Sequence, residues 1–502
     1  MANKKRITTN TYKIKFVDKI LDPVHGFIDL TQVEKEIIEL PIFKRMQSLK
    51  QLSLTNWVFP GAEHTRYMHS LGVMHIADLM AMNLKDLNSK LKYNNGERQL
   101  IRLAGLLHDI GHYPLSHVTE YVYNDNLFNQ NGSLLEHNKN IKTTIDKLSE
   151  DDEGTSDYMK DRYSKPMHHE TMGTKVIEYD DDIKRIIAKY CPFIDIRDIQ
   201  DIIVGCVDRN PNISAMVQLI HSEVDADGID YIMRDATFSG TSYGGFELGL
   251  LLRNLTVTTY NGVDIVGIKP KGISVVDQYL VSKYFAYTQV IFNRHVAIFD
   301  TMAEIFSKIL IKLDKSSYPS SETLNSYVKN HTTNDEYLKF TDRAFWTQLD
   351  LLDKKDLELD EIVPRYVVKM YEKLLHYKEF KMAKNGEFVI TSNDRKYVFN
   401  LLKESNIYKK LLDEDEKSLM LFHSRGFTSQ IPENIFRGIL DKINLNTISE
   451  EKFKNNNTAR LQEGVAIIEK EKTPKLLVDD TKSIMSHLYG TKTYILREYV
   501  ID

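Results

Sequence analysis

The sequence predicts a mainly α-helical protein with a small β-hairpin and an α+β C-terminal region. Apolar residues recur at spacings of three and four, as from Leu100 to Ile110, which is typical of helices that bury one face. The clearest β pattern is Leu255–Pro270, where two β-rich runs flank Asn261-Gly262, a preferred turn pair. Alternating runs at 386–391 and in KTYILREYVID near the C-terminus predict further strands.

Composition narrows the class of protein. With 502 residues and 42% hydrophobic content, the chain can build a sizeable core. A formal net charge of −5 gives no indication of a nucleic-acid partner, although a local basic pocket is compatible with it. The two cysteines, Cys191 and Cys206, fit a reducing compartment. Without an apolar signal region or an apolar run of about 18 residues, we expect a cytoplasmic protein with no membrane partner.

We divide the chain into three parts. Residues 1–18 are polar and are expected to form a flexible or pairing arm, residues 19–314 the core, and residues 315–502 a helical or α+β region for regulation or oligomerisation. Within the core, residues 124–166 are polar and partly acidic, and we interpret them as an insertion that contains one helix. Our hypothesis is that this insertion forms a lid or an assembly element.

Local signals set the boundaries of several predicted helices. Thr31 followed by Glu34 is a capping-box pattern, so we expect a helix over 32–40. The apolar helix that begins near Leu100 should end with Gly111 in the left-handed conformation. After the hairpin, we expect one long helix over 275–312.

Ionisable residues cluster at the ends of these apolar helices. Ten residues at the end of the helix near Leu100 contain His108, Asp109, His112 and His117. Buried ionisable groups are costly unless something pairs with them, so this stretch predicts a metal or catalytic site.

Two other clusters supply partners for it. Arg66 and His69 are three residues apart near the start of a helix that follows Thr65, and therefore share a face. Because like charges repel, we expect a cation or an arginine beside the four aspartates of a later helical segment, Asp225, Asp227, Asp230 and Asp235. We interpret His25, in the turn DPVHG, as a structural histidine rather than a ligand.

These clusters together describe metal-assisted phosphoester hydrolysis. His69, His108, Asp109 and one aspartate of 225–230 make a two-histidine, two-carboxylate set, which suits Fe, Mn, Co, Ni, Zn or Mg. Such an ion polarises a phosphoryl oxygen and acidifies bound water. The side chains suited to proton transfer are His112, His117 and the pair His169-Glu170. The side chains suited to binding the oxygens of a polyanion are Arg66, Tyr231, Lys283 and Arg294.

The motifs HTRYMHSLG, HDIGHYPLSH and D-x-D-x-x-D-Y-x-x-R-D, in this order, resemble the HD-domain phosphohydrolases. Within them, the chain is similar to the branch of the bacterial dNTP triphosphohydrolases (dGTPase-like) and the vertebrate sterile-alpha-motif/HD dNTPase. The similarity runs from about Asp22 to Thr301 and includes DPVHG, RMQSLKQL and FPGAEHTR. It implies that residues 19–314 form a helical HD core.

The resemblance also implies residue roles. The implied metal ligands are His69, His108, Asp109 and Asp227. Catalytic positions fall on His112, His117 and His169, with Glu170 beside them. Substrate-contact positions fall on Arg66, Gln51, Leu52, Tyr231, Lys283 and Arg294. The implied reaction is water attack on the α-phosphorus of a dNTP, which gives deoxynucleoside and triphosphate.

Departures from the family pattern keep two alternatives open. A phosphate-binding lysine of the family is here Gly228, an arginine is Lys283, and an aromatic residue near the sugar is Ile291. The alternatives are an HD phosphohydrolase acting on a ribonucleotide, alarmone, cyclic nucleotide or nucleic-acid end, and a nucleotide-sensing scaffold. Triphosphate as the product distinguishes the leading prediction from the first. The intact ligand set argues against the second.

Family members also suggest partners beyond the substrate. We expect a homo-oligomer built from dimers, of which a tetramer would be one form, and an allosteric nucleotide activator. Two regulatory-site positions of the vertebrate enzyme are here Glu39 and Gln47, so its guanine-specific activation is not carried over.

Overall fold

The chain folds as a mainly α-helical protein with small β-sheets, which confirms the predicted fold class. This computed structural model describes residues 12–88, 90–124, 133–150, 167–412, 420–425, 457–488 and 491–501. The helices up to the middle of the chain are α1 (Gln32–Ile38), α2 (Pro41–Lys44), α3 (Arg66–Asn83), α4 (Asn95–Leu107), α5 (His117–Asn124), α6 (Leu134–Glu150), α7 (His169–Tyr179), α8 (Asp181–Tyr190), α9 (Ile196–Ile203), α10 (Ser214–Ile220), α11 (Ala226–Ser239) and α12 (Leu248–Asn254).

The later helices carry the chain from the core into the C-terminal region. They are α13 (Ile273–Phe285), α14 (Arg294–Lys312), α15 (Ser321–Lys329), α16 (Glu336–Lys339), α17 (Asp342–Asp350), α18 (Lys354–Leu359), α19 (Arg365–Leu375), α20 (Arg395–Glu404), α21 (Asn406–Lys409), α22 (Asn457–Glu463) and α23 (Met485–Leu488). None of the helices in the described part of the chain is long and apolar enough to cross a membrane.

The strands form three small sheets. An N-terminal hairpin pairs β1 (Phe16–Asp22) with β2 (Gly26–Thr31). The predicted central hairpin, β3 (Leu255–Tyr260) and β4 (Val263–Ile268), is confirmed, and β7 (Ala466–Ile467) and β8 (Lys475–Leu476) extend its sheet. The third sheet contains β5 (Lys381–Ser392), β6 (Met420–Arg425) and β9 (Lys492–Val500), with β9 in the middle.

The core is built where α3 packs against α4 and α11. The apolar residues predicted for the helix near Leu100 are all buried there, including Leu103, Leu107 and Ile110. Arg45, also buried, joins the core to the C-terminal region, because its guanidinium donates hydrogen bonds to the carbonyl oxygens of His112 and Phe340. Helices α3, α4 and α11 therefore share one buried apolar core.

Two local predictions were wrong. Gly111 is not among the glycines with a positive φ in the described part of the chain, so it is not a left-handed helix cap. Instead its backbone packs against α7, where a Cβ at Gly111 would lie 2.7 Å from the Cα of Gly173. The long helix over 275–312 is interrupted, because the chain forms a π-helix at Ala286–Ile291 and starts again at Arg294, where the Asn293 side chain caps the new helix.

The described part of the insertion, α6, packs against the C-terminal sheet. Ile141 and Ile145 share one apolar cluster with Phe399, Leu402, Phe422 and Leu496. His137 and Asn138 hydrogen-bond the backbone oxygens of Phe422 and Met420 at 2.8 and 2.9 Å. Residues 125–132 and 151–166 of the insertion and residues 1–11 of the predicted arm lie outside the described residues. The end of the arm, from Phe16, is part of β1, and the three-part division stays a prediction.

Candidate metal and catalytic site

The predicted ligand residues lie together because α3 and α11 begin, and α4 ends, at the same place. His69 lies in the first turn of α3 and Asp227 in the first turn of α11, while His108 follows the last residue of α4 and Asp109 comes next. Ligand atoms of His69, His108 and Asp109 all lie within 4.8 Å of one another. Asp227 Oδ1 lies 2.9 Å from His69 Nε2 and 3.9 Å from His108 Nε2.

Each histidine of this set has its second ring nitrogen fixed by a hydrogen bond. His69 Nδ1 donates to Asp230 at 2.7 Å, and His108 Nδ1 donates to the carbonyl oxygen of Gly105 at 2.8 Å. In both rings, Nε2 is therefore left facing the carboxylates. His108 Nε2 is buried and has no hydrogen-bond partner among the described residues. This is the arrangement that histidine ligands of metals adopt in proteins.

The charges of the site also call for a cation. Burial disfavours the imidazolium form of His69, yet hydrogen bonds to Asp227 and Asp230 raise its pKa to about 10. Burial likewise disfavours ionised Asp109, but Arg66 and then the neighbouring His108 hold its pKa well below the usual range. The carboxylates therefore stay ionised around the two Nε2 atoms. A divalent metal fits this donor set, which explains the buried lone pair on His108.

A second cluster of histidines adjoins this centre. The His112 ring stacks on the His169 ring with centroids 4.1 Å apart, and the His117 ring lies 5.0 Å from that of His112. His112 Nε2 is 3.4 Å from Asp109 Oδ1, so the two clusters are in contact. The structure thus brings together all three histidines that the sequence assigned to proton transfer.

The carboxylate that orients these histidines is Glu120. Its Oε2 accepts from Nδ1 of His117 at 2.8 Å and from Nδ1 of His169 at 3.0 Å. The sequence analysis paired His169 with Glu170 instead, but Glu170 lies 3.6 Å from His168 and 3.7 Å from His221. Glu120 was missed, although its position three residues after His117 on a helix places both on one face.

Burial and charge shift the pKa values of His169 and His112 in opposite directions. Burial opposes protonation of His169, but the Glu120 carboxylate raises its pKa above the usual value. For His112, burial and then the positive charges of Arg66 and His169 hold the pKa well below the usual value. Burial would raise the pKa of Glu120, yet His169 and His168 keep it well below its usual range. The surroundings therefore favour the protonated form of His169 and the neutral form of His112.

Arg66 links the candidate ligands to the residues predicted to contact substrate. Its Nη1 donates to Asp109 at 2.7 Å, its Nε to the Ser116 hydroxyl at 3.0 Å, and its Nη2 to the carbonyl oxygen of Gln51 at 3.3 Å. The side chain of Gln51 is buried, and Leu52 is half-buried at the edge of the core. Gln51 therefore lies directly beside the Arg66 guanidinium, and Leu52 follows it in the chain.

A second group of predicted contacts lies on the side of Asp227. Lys283 Nζ is 3.2 Å from Glu223 Oε2, and that carboxylate raises the pKa of Lys283 although burial opposes it. Half-buried Tyr231 lies one turn after Asp227 on α11. The absence of a lysine at 228 also has a structural reason. A Cβ at Gly228 would overlap the hydroxyl of Tyr279 and lie 2.8 Å from Asp225 Oδ1.

Arg294 contacts a different set of residues. It is exposed at the start of α14, and its Nε lies 3.1 Å from the ring of His295, which in turn contacts Glu379 at 2.8 Å. Its predicted contact with substrate therefore stays a prediction.

This centre has the donor atoms and the spacing of a site for a divalent metal, and part of the chain matches a known domain. The sequence profile described as HD domain matches residues 66–196, which include His69, His108 and Asp109. The chain is 26% identical over 398 residues to an uncharacterized protein of Methanocaldococcus jannaschii, a match that covers 78% of this chain and 66% of that protein. It is 28% identical over 246 residues to the deoxynucleoside triphosphate triphosphohydrolase SAMHD1 homolog of Dictyostelium discoideum, covering 46% of this chain and 38% of that one.

A solved structure has a similar fold along most of its length. The phosphohydrolase from Bacteroides thetaiotaomicron superposes with a TM-score of 0.59 at 19% identity, and the match covers 96% of this chain and 99% of that one. The curated sequence relatives named above are longer than the region they share with this chain, since the matches span 66% and 38% of their lengths.

Proposed function

We propose that this protein is a metal-dependent phosphohydrolase that converts deoxynucleoside triphosphates to deoxynucleoside and triphosphate. The observation that carries the proposal is the position of the Glu120–His169 pair next to the ligand set of His69, His108 and Asp109. A proton donor next to a cation site is an arrangement that favours cleavage of a phosphoester. The activity in the name of the Dictyostelium relative supports the choice of a dNTP.

Helix ends support binding of a polyphosphate. Arg66, His117, His169 and Asp227 each lie in the first turn of a different helix, at α3, α5, α7 and α11. The amino ends of helices carry partial positive charge and unpaired N–H groups, which favour phosphate oxygens. Arg66 would add a guanidinium, and Gln51, Leu52, Tyr231, Lys283 and Arg294 are the other proposed contacts.

The side chains then divide the chemistry. A divalent metal held by His69, His108, Asp109 and Asp227 would polarise the phosphoryl oxygens and acidify a water molecule. The water oxygen forms a bond to the α-phosphorus while the bond from phosphorus to the 5′-oxygen breaks. His169, held by Glu120, donates its proton to the leaving 5′-oxygen. Neutral His112, next to Asp109, accepts the proton that the water loses.

A product assay tests this function. Each dNTP and each NTP is incubated with protein reconstituted with Mn²⁺, and the products are separated by ion-exchange chromatography. Deoxynucleoside and intact triphosphate are expected, and ¹⁸O from labelled water should appear in the triphosphate and not in the nucleoside. Orthophosphate or pyrophosphate as the product would contradict the proposal, and His169→Gln should abolish whichever product forms.

Two departures from the family pattern favour a second candidate, hydrolysis of another phosphoester. Tyr279 occupies the space beside Gly228, and Ile291 lies where the family has an aromatic residue near the sugar. If no triphosphate is turned over, alarmones, cyclic nucleotides, ribonucleotides and nucleic-acid ends are the next substrates to assay. If nothing is hydrolysed but nucleotides bind, the nucleotide-sensing scaffold is supported instead.

Activation and assembly are proposed on the same resemblance. Pairwise mixtures of nucleotides should show faster turnover than each alone if a nucleotide activator binds. Light scattering with and without nucleotide should give the mass of a dimer or tetramer. A monomer with the same rate in every mixture would contradict both proposals.

A further inference from the structure

Asp230 is a buried carboxylate on which four N–H groups converge. Its Oδ2 accepts from His69 Nδ1 at 2.7 Å and from Arg234 Nε at 2.9 Å. Its Oδ1 lies 3.0 Å from Arg234 Nη2 and 2.5 Å from His25 Nε2. The side chain has no solvent exposure. Since His69 is a candidate ligand through Nε2, Asp230 fixes which of its nitrogens faces the metal and how the ring is turned.

The turn of the N-terminal hairpin reaches Asp230 by two routes. The first is His25, whose ring bonds it directly. The second is Asp22, whose Oδ1 accepts the backbone N–H groups of Val24 and His25, both at 2.9 Å. Its Oδ2 accepts from Arg234 Nη1 at 2.8 Å. Asp22 therefore stabilises the turn that contains His25, and it also binds Arg234, which in turn binds Asp230.

The backbone is arranged to permit this contact. Gly26 closes the turn at a φ of 72°, which favours glycine. Gly72, one turn after His69 on α3, faces the carboxylate, and a Cβ there would lie 2.6 Å from Asp230 Cγ and overlap its Oδ1. Helices α3 and α11 can approach closely enough for Asp230 to reach His69 only because this side chain is absent.

We propose that His25 is a positioning residue for the metal centre. It does not touch the metal; it occupies Oδ1 of Asp230 so that Oδ2 holds His69 in the orientation a ligand needs. The position of the DPVHG turn therefore affects how tightly the site binds its metal. This inference concerns the metal site alone, so it holds whichever phosphoester the protein cleaves.

Metal binding by the full-length protein tests the proposal. Chelator-treated protein is titrated with Co²⁺, and the dissociation constant is measured by competition with a chromophoric chelator together with the visible spectrum of the bound ion. His25→Ala should weaken binding by about 10- to 100-fold, the range found for partners of ligand histidines, and shift the Co²⁺ bands. His25→Gln, whose amide N–H still reaches Asp230, should recover most of the affinity.

His75→Gln is the matched control, because its ring lies 5.6 Å from that of His25. It should bind Co²⁺ like the unaltered protein. Unchanged affinity and spectrum in a folded His25→Ala variant would overturn the proposal, and so would equal losses in the His75 variant. If His25→Ala fails to fold, Asp22→Asn replaces it, because it keeps the acceptor of the turn and weakens the bond to Arg234. Its affinity should then fall, and an unchanged value would overturn the proposal.

Discussion

Glu120 and His169 are 49 residues apart in the chain, yet Oε2 of the one lies 3.0 Å from Nδ1 of the other. We expect Glu120→Gln to lower kcat by about 10²- to 10⁴-fold, the usual contribution of a positioned proton donor. The neutral amide has no negative charge and therefore does not raise the pKa of His169. Glu170→Gln is the control, since its carboxylate contacts His168 and His221, and a larger effect there would contradict this assignment.

The pH profile of the reaction should show the same pair. The pKa of His169 is raised by Glu120, so the protonated form that donates to the leaving oxygen persists above the ordinary histidine range and is lost as the pH rises further. We expect a falling alkaline limb in kcat, which moves to lower pH in Glu120→Gln. Measurements of kcat from about pH 6 to 10 on both proteins check this shift. Identical limbs would show that another group titrates.

Asp342 gives a prediction about stability. It accepts the backbone N–H groups of Lys50 and Leu115, and burial raises its pKa to about 6 in spite of these bonds. A carboxyl whose folded pKa is raised stabilises most below its unfolded pKa, and that stability is lost as the pH rises to about 6. As the pH rises from about 4 to 6, the free energy of unfolding of the unaltered protein should fall by roughly 3 kcal/mol at most relative to that of Asp342→Asn.

Urea unfolding of both proteins from about pH 4 to 8 measures the difference between their free energies of unfolding. It should be constant above about pH 7, where Asp342 is ionised in both the folded and the unfolded chain. A difference independent of pH would show that the carboxyl titrates normally.

The contact between Gly111 and Gly173 predicts unequal effects of one methyl group. Gly111→Ala places a Cβ against the backbone of α7, whereas a Cβ at Gly173 meets its nearest atom at 3.5 Å. We expect Gly111→Ala to destabilise by about 1–3 kcal/mol or more, as overpacking does. Gly173→Ala should be neutral or stabilising, since alanine favours a helix interior. Thermal unfolding compares the two, and equal Tm shifts would contradict the packing described.

The docking of α6 can be tested on one helix. Ile145 is buried in the cluster shared with the C-terminal sheet, and Thr143, two residues earlier, is exposed. Ile145→Asp buries an unpaired charge and should loosen the sheet, whereas Thr143→Asp should have little effect. Limited proteolysis should cut the C-terminal region faster only in the Ile145 variant. The same pattern in both variants would indicate that α6 does not hold the sheet.

The sequence was most informative where chemistry and local signals coincide. The candidate ligands follow from ionisable residues at the ends of apolar helices, and the Asn261-Gly262 turn predicts its hairpin from two residues with positive φ. Contacts that are distant in the chain could not be predicted this way. Gly111 looks like a helix cap, but its packing partner Gly173 lies 62 residues further on. The choice of Glu120 over Glu170 also depends on how α5 and α7 meet.

The order of strands in the C-terminal sheet has a consequence for biosynthesis. The middle strand, β9, is the last of the three in the chain, and its partners β5 and β6 do not pair with each other. Ser392 pairs with Lys492, so about a hundred residues must be synthesised before this ladder can close. On the ribosome, β5 and β6 therefore emerge as unpaired edges while the helical core can already assemble. Until β9 is synthesised, these unpaired edges are open to aggregation, which chaperones counter.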